Sequence, residues 1–262
     1  MHLLSKEHPR PLSTWDREHV DGYGFSIQGH TSRCQALIAQ REHLLVGTSP
    51  FNSRFSPGYV SALLAWAHSQ FSQVDVLLPD EEHATRLLVA TGVLPGKATR
   101  KTRKELTRHR RSIRQALDSI GTRADAARIF DFSDFSAHPG YLRLHTQVNE
   151  AFDRCEKFRE ACETMSRQAV HGRVHGVSAN ATTGDDDHLR LAVPYIFAEM
   201  PFYLSSAELI GVPSSILAYH RPWPIGTGLF AGKFPLLVNA AQGHGIVSLT
   251  VSVASPADIS SA

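Results

Sequence analysis

The chain has 262 residues, 42% of them hydrophobic and 20% charged, an ordinary globular balance that can bury a substantial core. Its cysteines, Cys34, Cys155 and Cys162, are too few and too scattered for a disulfide framework and include no Cys-x-x-Cys, which fits a reducing cytoplasm. No apolar run is long enough to span a bilayer, the first residues lack the apolar core of a signal peptide, and the net charge of +2 hides a strong asymmetry described below.

Residues 1–35 lack periodicity and carry Pro9, Pro11, Gly22, Gly24 and Gly29; they read as a loosely attached N-terminal segment before a single domain over 36–262. Strands are predicted at 44–47, 74–78, 128–131, 216–219 and 246–251. Helices are predicted at 57–71, 82–90, 98–120, 141–170 and 186–206. Strands alternating with helices predict an α/β fold with a mostly parallel sheet flanked by helices.

Where the first predicted strand gives way to the next helix, the loop reads Gly47-Thr48-Ser49-Pro50-Phe51-Asn52-Ser53-Arg54-Phe55-Ser56. A serine there sits at the carboxyl edge of the sheet, where ligands bind in open α/β folds. It also lies near backbone N–H groups that favour developing negative charge. Most loop serines only cap helices or bond to local backbone. Ser56, just before Pro57, is the better cap because Pro favours the first helical position. Ser49 is left as a candidate nucleophile. The loop is similar to the Gly-x-Ser-x-Gly elbow of serine hydrolases, with Phe51 in place of the second glycine.

Between Pro95-Gly96 and Gly121 the pattern is helical, with an apolar stripe of Leu106, Ile113, Leu117 and Ile120. Lys97, Lys101, Lys104, Arg108 and Arg111 form a ridge opposite it, widened by Arg100, Arg103, Arg110 and Arg114. Residues 97–114 hold nine cations against one acid, Glu105, a net +8 that leaves −6 for the rest of the chain. The basic face is about 25 Å long. Solvated helix faces usually mix signs, because like charges repel. A face of one sign points to a polyanion, and nucleic acid is the natural one. No helix-turn-helix, zinc-finger or zipper pattern accompanies it, so duplex DNA is not the expected partner.

Tyr195 and Glu199 are four apart in an apolar segment and share one helix face. Such a pair forms a structural hydrogen bond, or else binds an ammonium group or moves a proton. The predicted strand 216–219 ends in Tyr219-His220, again at the carboxyl edge. No Gly-x-Gly-x-x-Gly follows the first strand and no P-loop is present. His171 and His175 are four apart without a His-Glu-x-x-His frame, and Asp185-Asp186-Asp187 reads as helix capping, so no metal site is expected.

Taken together these motifs, in this order, resemble the cyclodipeptide synthases, which make a cyclic dipeptide from two aminoacyl-tRNAs. The resemblance runs from Leu44 to Tyr219. Gly47-x-Ser49-x-x-Asn52-Ser53-x-Phe55-Ser56 is similar to the family's nucleophile loop, the basic helix to its tRNA-binding helix, Tyr195-x-x-x-Glu199 to its ammonium-holding pair, and Val212-Pro213-Ser214-Ser215 with Tyr219 to its last catalytic segment. Asn52 with Tyr219 resembles the subfamily with an asparagine in that loop. The resemblance implies a Rossmann-like fold akin to the catalytic domain of class I aminoacyl-tRNA synthetases, without their ATP motifs. The substrate is already an activated ester, so no cofactor is expected.

It implies a ping-pong reaction. The first aminoacyl group moves to Ser49 Oγ, the amine of the second aminoacyl-tRNA attacks to give a dipeptidyl enzyme, and the free amine closes the ring. Tyr195 and Glu199 would hold the α-ammonium, Glu199 would take a proton from the second amine, Tyr219 would position the aminoacyl group or relay a proton, Asn52 would steady the loop, and N–H groups near Ser49 would bind the oxyanion. By correspondence, Leu45, Gly47, Leu77, Phe202 and Tyr203 would line the first side-chain pocket, the two aromatics favouring a small residue. Arg173 and Leu217 would line the second, and an inward Arg173 would favour an acidic residue. The implied partners are two aminoacyl-tRNAs, with no DNA and no membrane, for a cytoplasmic monomer. Two other readings stay open: a serine hydrolase, which needs a His–Asp partnership for Ser49, and a non-catalytic RNA-binding protein.

Overall fold

The computed structural model describes residues 24–121, 127–174 and 190–250. Six strands form one sheet: β1 Gly24–Gly29, β2 His43–Gly47, β3 Gln73–Leu78, β4 Ile129–Asp131, β5 Ser215–Tyr219 and β6 Gln242–Thr250. Their spatial order is β1-β6-β5-β2-β3-β4. The pairs β5–β6, β2–β5, β2–β3 and β3–β4 are parallel, and β1 runs antiparallel to β6. From β2 the chain winds outward through β3 to β4, then returns to lay β5 on the other side of β2. The gap beyond the carboxyl ends of β2 and β5 is therefore the point where strand order reverses, the preferred ligand crevice of such sheets.

Eight helices flank the sheet among the described residues: α1 Ser32–Gln40, α2 Pro57–Gln70, α3 Glu81–Val89, α4 Pro95–Ser119, α5 Pro139–Arg154, α6 Glu156–Val174, α7 Val193–Ile210 and α8 Pro224–Phe230. Alternating strand residues divide the core. Leu44, Val46, Val74, Val76 and Leu78 face α1, α2 and α4. Leu45, Leu77 and Leu217 face α5, α6, α7 and α8. Helices on both faces leave the central strands β2, β3 and β5 almost wholly buried, while β1 and β4 at the edges are mostly half-buried or exposed.

The predicted strands and helices that lie in the described residues are present, with three differences. Gly24–Gly29 pairs along its whole length with β6, and Ser32–Gln40 is a capped helix, so residues 24–35 are built into the sheet layer rather than loosely attached. The predicted helix 141–170 is two helices, broken at Cys155, whose φ of −117° and ψ of 102° are extended. The last predicted helix begins at Val193; residues 175–189 lie outside those described. Ser56 is the α2 cap, its Oγ accepting from the Tyr59 N–H, with Pro57 at the first helical position.

A polar network, buried except for the Arg128 side chain, ties the amino ends of the strands together. His43 Nε2 lies 3.1 Å from Asp75 Oδ2 and His43 Nδ1 lies 2.8 Å from Ser215 Oγ. The Arg128 backbone N–H and guanidinium both donate to Asp75, at 2.8 and 2.7 Å. Ser206 Oγ of α7 sits 2.9 Å from Ser215 Oγ. Here are a serine, a histidine and an aspartate in line, yet their side chains are enclosed at 0–2% exposure, at the edge of the sheet opposite Ser49. They join strands.

Candidate active site

A cavity of about 180 Å³ opens at the reversal point between β2 and β5. Ser49 and Asn52 of the loop after β2, Gly47 at the end of β2, Tyr195 and Glu199 of α7, and Tyr219 at the end of β5 all line it. Every residue expected to act in chemistry is thus gathered from three separate stretches of sequence. α7 crosses the sheet face from this edge to the opposite one, where its Ser206 meets Ser215. The network at the far end therefore helps fix how far Glu199 reaches into the cavity.

The loop after β2 is held by its own turn. Thr48 N–H donates to the Leu77 carbonyl, Asn52 N–H to the Ser49 carbonyl and Phe55 N–H to the Asn52 carbonyl. Asn52 Oδ1 accepts the Arg54 N–H at 3.0 Å, a local asparagine turn. Its Nδ2 donates to His220 Nε2 at 3.1 Å, which ties the Ser49 loop to the segment after β5. Accepting there requires a neutral imidazole. Burial, then the nearby Arg221 and Arg54 charges, push the His220 pKa down to about 4, so it stays neutral near pH 7.

Glu199 is only 5% exposed, and the Tyr219 hydroxyl donates to its Oε1. Burial, reinforced by the Glu199 carboxylate, holds the Tyr219 phenol far above its usual range, so it remains a donor. The Tyr219 ring lies directly over Gly47, where an added Cβ would fall among the ring atoms. That contact explains the glycine. Gly47→Ala is expected to tilt Tyr219 off Glu199 and lower turnover about 100-fold, the scale of a 1 Å misplacement. An unchanged Tm with lost turnover would separate this from a folding defect; unchanged turnover would refute it.

Some expected residues are elsewhere. Leu45, Leu77, Phe202, Tyr203 and Leu217 are 0–2% exposed in the core beneath the cavity, rather than on its wall. Alternation turns the strand leucines toward α5–α7, and helices cover them. The Arg173 side chain lies outside the described residues, as do His175 and the run Asp185–Asp187. The wall instead includes Leu87, Met165, Ala169, Ala192 and Ile196, an apolar set that sequence periodicity marks only as core-facing. His220 and Trp223 also line it without having been singled out as site residues. A polar residue directly after a strand was the available signal for His220.

Eight of the nine cations expected on α4 are exposed, and Arg110 is half-buried. The stripe Leu106, Ile113 and Leu117 is buried with Ala98, Thr102, His109 and Ala116. Three arginines have acidic partners: Arg103 forks onto Glu81, Arg108 bonds Glu105, and Arg110 lies 2.5 Å from Asp131. Rings link this helix to the site, with His109 of α4 against Phe55 and Phe55 against His220, at centroid distances of 5.9 and 5.3 Å.

Comparison with known proteins agrees with this geometry. The family model for cyclodipeptide synthase matches residues 25–249. The chain is 45% identical over 230 residues to the cyclo(L-leucyl-L-leucyl) synthase of Photorhabdus laumondii, covering 88% of this chain and 98% of that one. It is 42% identical over 223 residues to the cyclo(L-leucyl-L-leucyl) synthase of Bacillus subtilis, covering 85% and 89%. Its fold superposes with a TM-score of 0.76 on a Mycobacterium tuberculosis protein whose structure is described as relating cyclodipeptide synthetases to type I tRNA synthetases, at 25% identity over 95% of this chain and all of that one. The α/β sheet with its site at the reversal point is thus of the class I synthetase type. On geometry and likeness together, this chain belongs to the cyclodipeptide synthase family of enzymes.

Proposed function

We propose that this chain joins two aminoacyl groups, delivered as aminoacyl-tRNAs, into an apolar cyclic dipeptide through a covalent intermediate on Ser49. The observation that carries the reading is the convergence of Ser49, Tyr195, Glu199 and Tyr219 on one cavity at the reversal point of the sheet. In the first step Ser49 Oγ attacks the ester carbonyl, the terminal ribose oxygen of the tRNA leaves, and the serine proton passes to it.

Atom balance revises the second step expected from sequence. If the incoming amine attacked the Ser49 ester, that ester would break and the dipeptide would leave on tRNA. For the dipeptide to stay on Ser49, the amine already on Ser49 must attack the ester of the second aminoacyl-tRNA. The group that holds that α-ammonium is then also well placed to take its proton, which gives Glu199 one position for both roles. Ring closure follows when the second amine attacks the Ser49 ester and frees the hydroxyl.

A serine hydrolase is less well supported. His220, the imidazole on the cavity wall, is spent on Asn52, and the His43–Asp75 pair lies across the sheet. The apolar wall and the leucyl products of the two relatives favour aliphatic residues at both positions, not the small and acidic pair. Mass spectrometry of medium from bacteria expressing the chain tests this. A cyclic dipeptide of leucine-like residues is the expected result; acidic residues in the product would overturn the side-chain reading, and no cyclic dipeptide would overturn the whole. We also assign the cytoplasm and a monomeric state.

The basic helix would supply the tRNA contact. Lys97, Arg100, Lys101, Lys104, Arg111 and Arg114 make no ion pair within 4 Å among the described residues, unlike Arg103, Arg108 and Arg110. Lys101→Ala and Arg111→Ala are each expected to weaken tRNA binding and flatten its salt dependence by about one unit of slope. Arg110→Ala is expected to act mainly on stability, by leaving Asp131 unpaired. Equal salt slopes in all three variants would refute the division.

A further inference from the structure

α7 carries Tyr195 and Glu199 to the cavity, yet it is not one continuous helix. Pro201, inside it, has no N–H to give the Phe197 carbonyl. Four residues on, Ser205 has φ −162° and ψ 51°, outside the helical range, so the helix breaks there into two halves. A break frees backbone groups that a buried segment must satisfy in some other way. Here the partners come from the turn that leads into β6. The Ser206 N–H donates to Gln242 Oε1 at 2.7 Å, and Ser206 Oγ lies 2.5 Å from the same oxygen. On the other side of the break the Leu204 carbonyl accepts the Asn239 N–H at 2.8 Å, and Asn239 Nδ2 donates to Ser205 Oγ at 3.0 Å.

Both partners are themselves fixed. Gln242 is fully buried, and its Nε2 donates to the Gly243 carbonyl at 2.7 Å, which leaves Oε1 turned to Ser206. Asn239 Oδ1 accepts the Ala241 N–H at 2.9 Å and closes the turn. An unbroken helix sets its own direction, whereas a broken one takes the direction its partners impose. The half that bears Glu199 is held at two points: Tyr141 of α5 donates to the Ala198 carbonyl at 2.9 Å, and the β6 turn holds the break. At ~1.5 Å per residue Glu199 stands about 9 Å from the break, and a tilt of about 10° there would move it by roughly 1.5 Å. A misplacement of about 1 Å already costs about 100-fold in rate. We propose that Gln242 and Asn239 are positioning residues for the reaction: by bonding the two sides of the break they set the angle at which the Glu199 half of α7 enters the cavity. Neither residue lines that cavity. The inference rests on Glu199 as the proton acceptor of the reaction proposed above.

The test mixes the full chain with leucyl-tRNA in a single turnover and follows aminoacyl-Ser49 and dipeptide separately. Asn239→Ala and Gln242→Met are expected to acylate Ser49 within about threefold of wild type, while dipeptide formation falls about 10-fold in the first and about 100-fold in the second. Asn239 is exposed, so its variant reports even if Gln242→Met fails to fold. A merely structural role would lower both steps together, in proportion to the folded protein. The double variant Glu199→Gln with Asn239→Ala is expected to form dipeptide as fast as Glu199→Gln alone, because the side chain being positioned is already gone. Equal losses in the two steps overturn the proposal, and so does a double variant whose loss is the product of the two single losses. Unchanged dipeptide formation in Asn239→Ala, with Glu199→Gln impaired, defeats the positioning role alone. Normal dipeptide formation in Glu199→Gln defeats the reading beneath it and the positioning role with it.

Discussion

Ser49→Ala is expected to form no cyclic dipeptide and to carry no aminoacyl group, whereas Glu199→Gln is expected to keep the adduct and lose the product. The two variants interrupt different steps. Without Ser49 Oγ there is nothing to accept the first group, and the neighbouring polar residues cannot replace an ester-forming oxygen. With glutamine at position 199 the hydroxyl of Ser49 is intact, so acylation continues, slowed by weaker hold on the α-ammonium. What disappears is the carboxylate that would take the ammonium proton before the amine attacks. A positioned general base contributes roughly 10²–10⁴-fold, so dipeptide formation is expected to fall by that range while intact-protein mass spectrometry shows the aminoacyl-enzyme accumulating. Tyr219→Phe removes the donor to Glu199 and should lie between wild type and Glu199→Gln. An adduct on Ser49→Ala would move the nucleophile elsewhere. Normal product from Glu199→Gln would remove the base from the scheme.

Local pattern and long-range pattern were not equally readable. The Ser56-Pro57 cap, the apolar stripe of α4 and the strand runs are local, because propensity and periodicity act over a few residues. The Ser49 loop was legible for the same reason, as a strand-to-helix turn with a spare serine. β1 was not. Its six residues begin and end in glycine and become a strand only by pairing with β6 more than 200 residues later. The break at Cys155 was hidden because residues on either side keep helical periodicity. Which strand leucines line a cavity depends on which helices cover them, and that is set by the order β6-β5-β2-β3 rather than by any run of residues. The pairing of Tyr219 with Glu199 joins β5 to α7 through space. Tyr195 and Glu199, by contrast, share a face by helical spacing alone. The charge of α4 was plain, but the loss of Arg103 and Arg110 to Glu81 and Asp131 required knowing that α3 and β4 lie beside it.

Asp75→Asn is expected to cost about 3–5 kcal/mol, enough to lower Tm by roughly 10 °C in a chain of this size. Burial alone would raise the Asp75 pKa, but hydrogen bonds from His43 and Arg128 outweigh it and hold the carboxyl below its ordinary value. The folded pKa is therefore depressed, so its contribution is complete above about pH 4 and is lost as pH falls further. Asparagine would turn an amide N–H₂ toward the donors of His43 or Arg128 and leave the Arg128 guanidinium without its carboxylate. Arg128→Gln should cost a similar amount, because it leaves the Asp75 carboxylate, 0% exposed, without its cation. The acid limb of the wild-type curve starts earlier than Asp75 can account for. Burial pushes His109, His220 and His244 down to about 4, so the folded chain refuses three protons that the unfolded chain accepts near pH 6.5. Between those values each adds up to about 1.4 kcal/mol per pH unit of slope. Urea unfolding from pH 8 to pH 4 is thus expected to show stability flat above pH 7 and falling below 6.5, with Asp75→Asn running lower but parallel. If the two curves converged above pH 5, the carboxylate would not be the charge that holds β2, β3 and β5 together. The same variant should also lower turnover more than its stability loss predicts, because Ser206 and Ser215 anchor the end of α7 that sets the reach of Glu199.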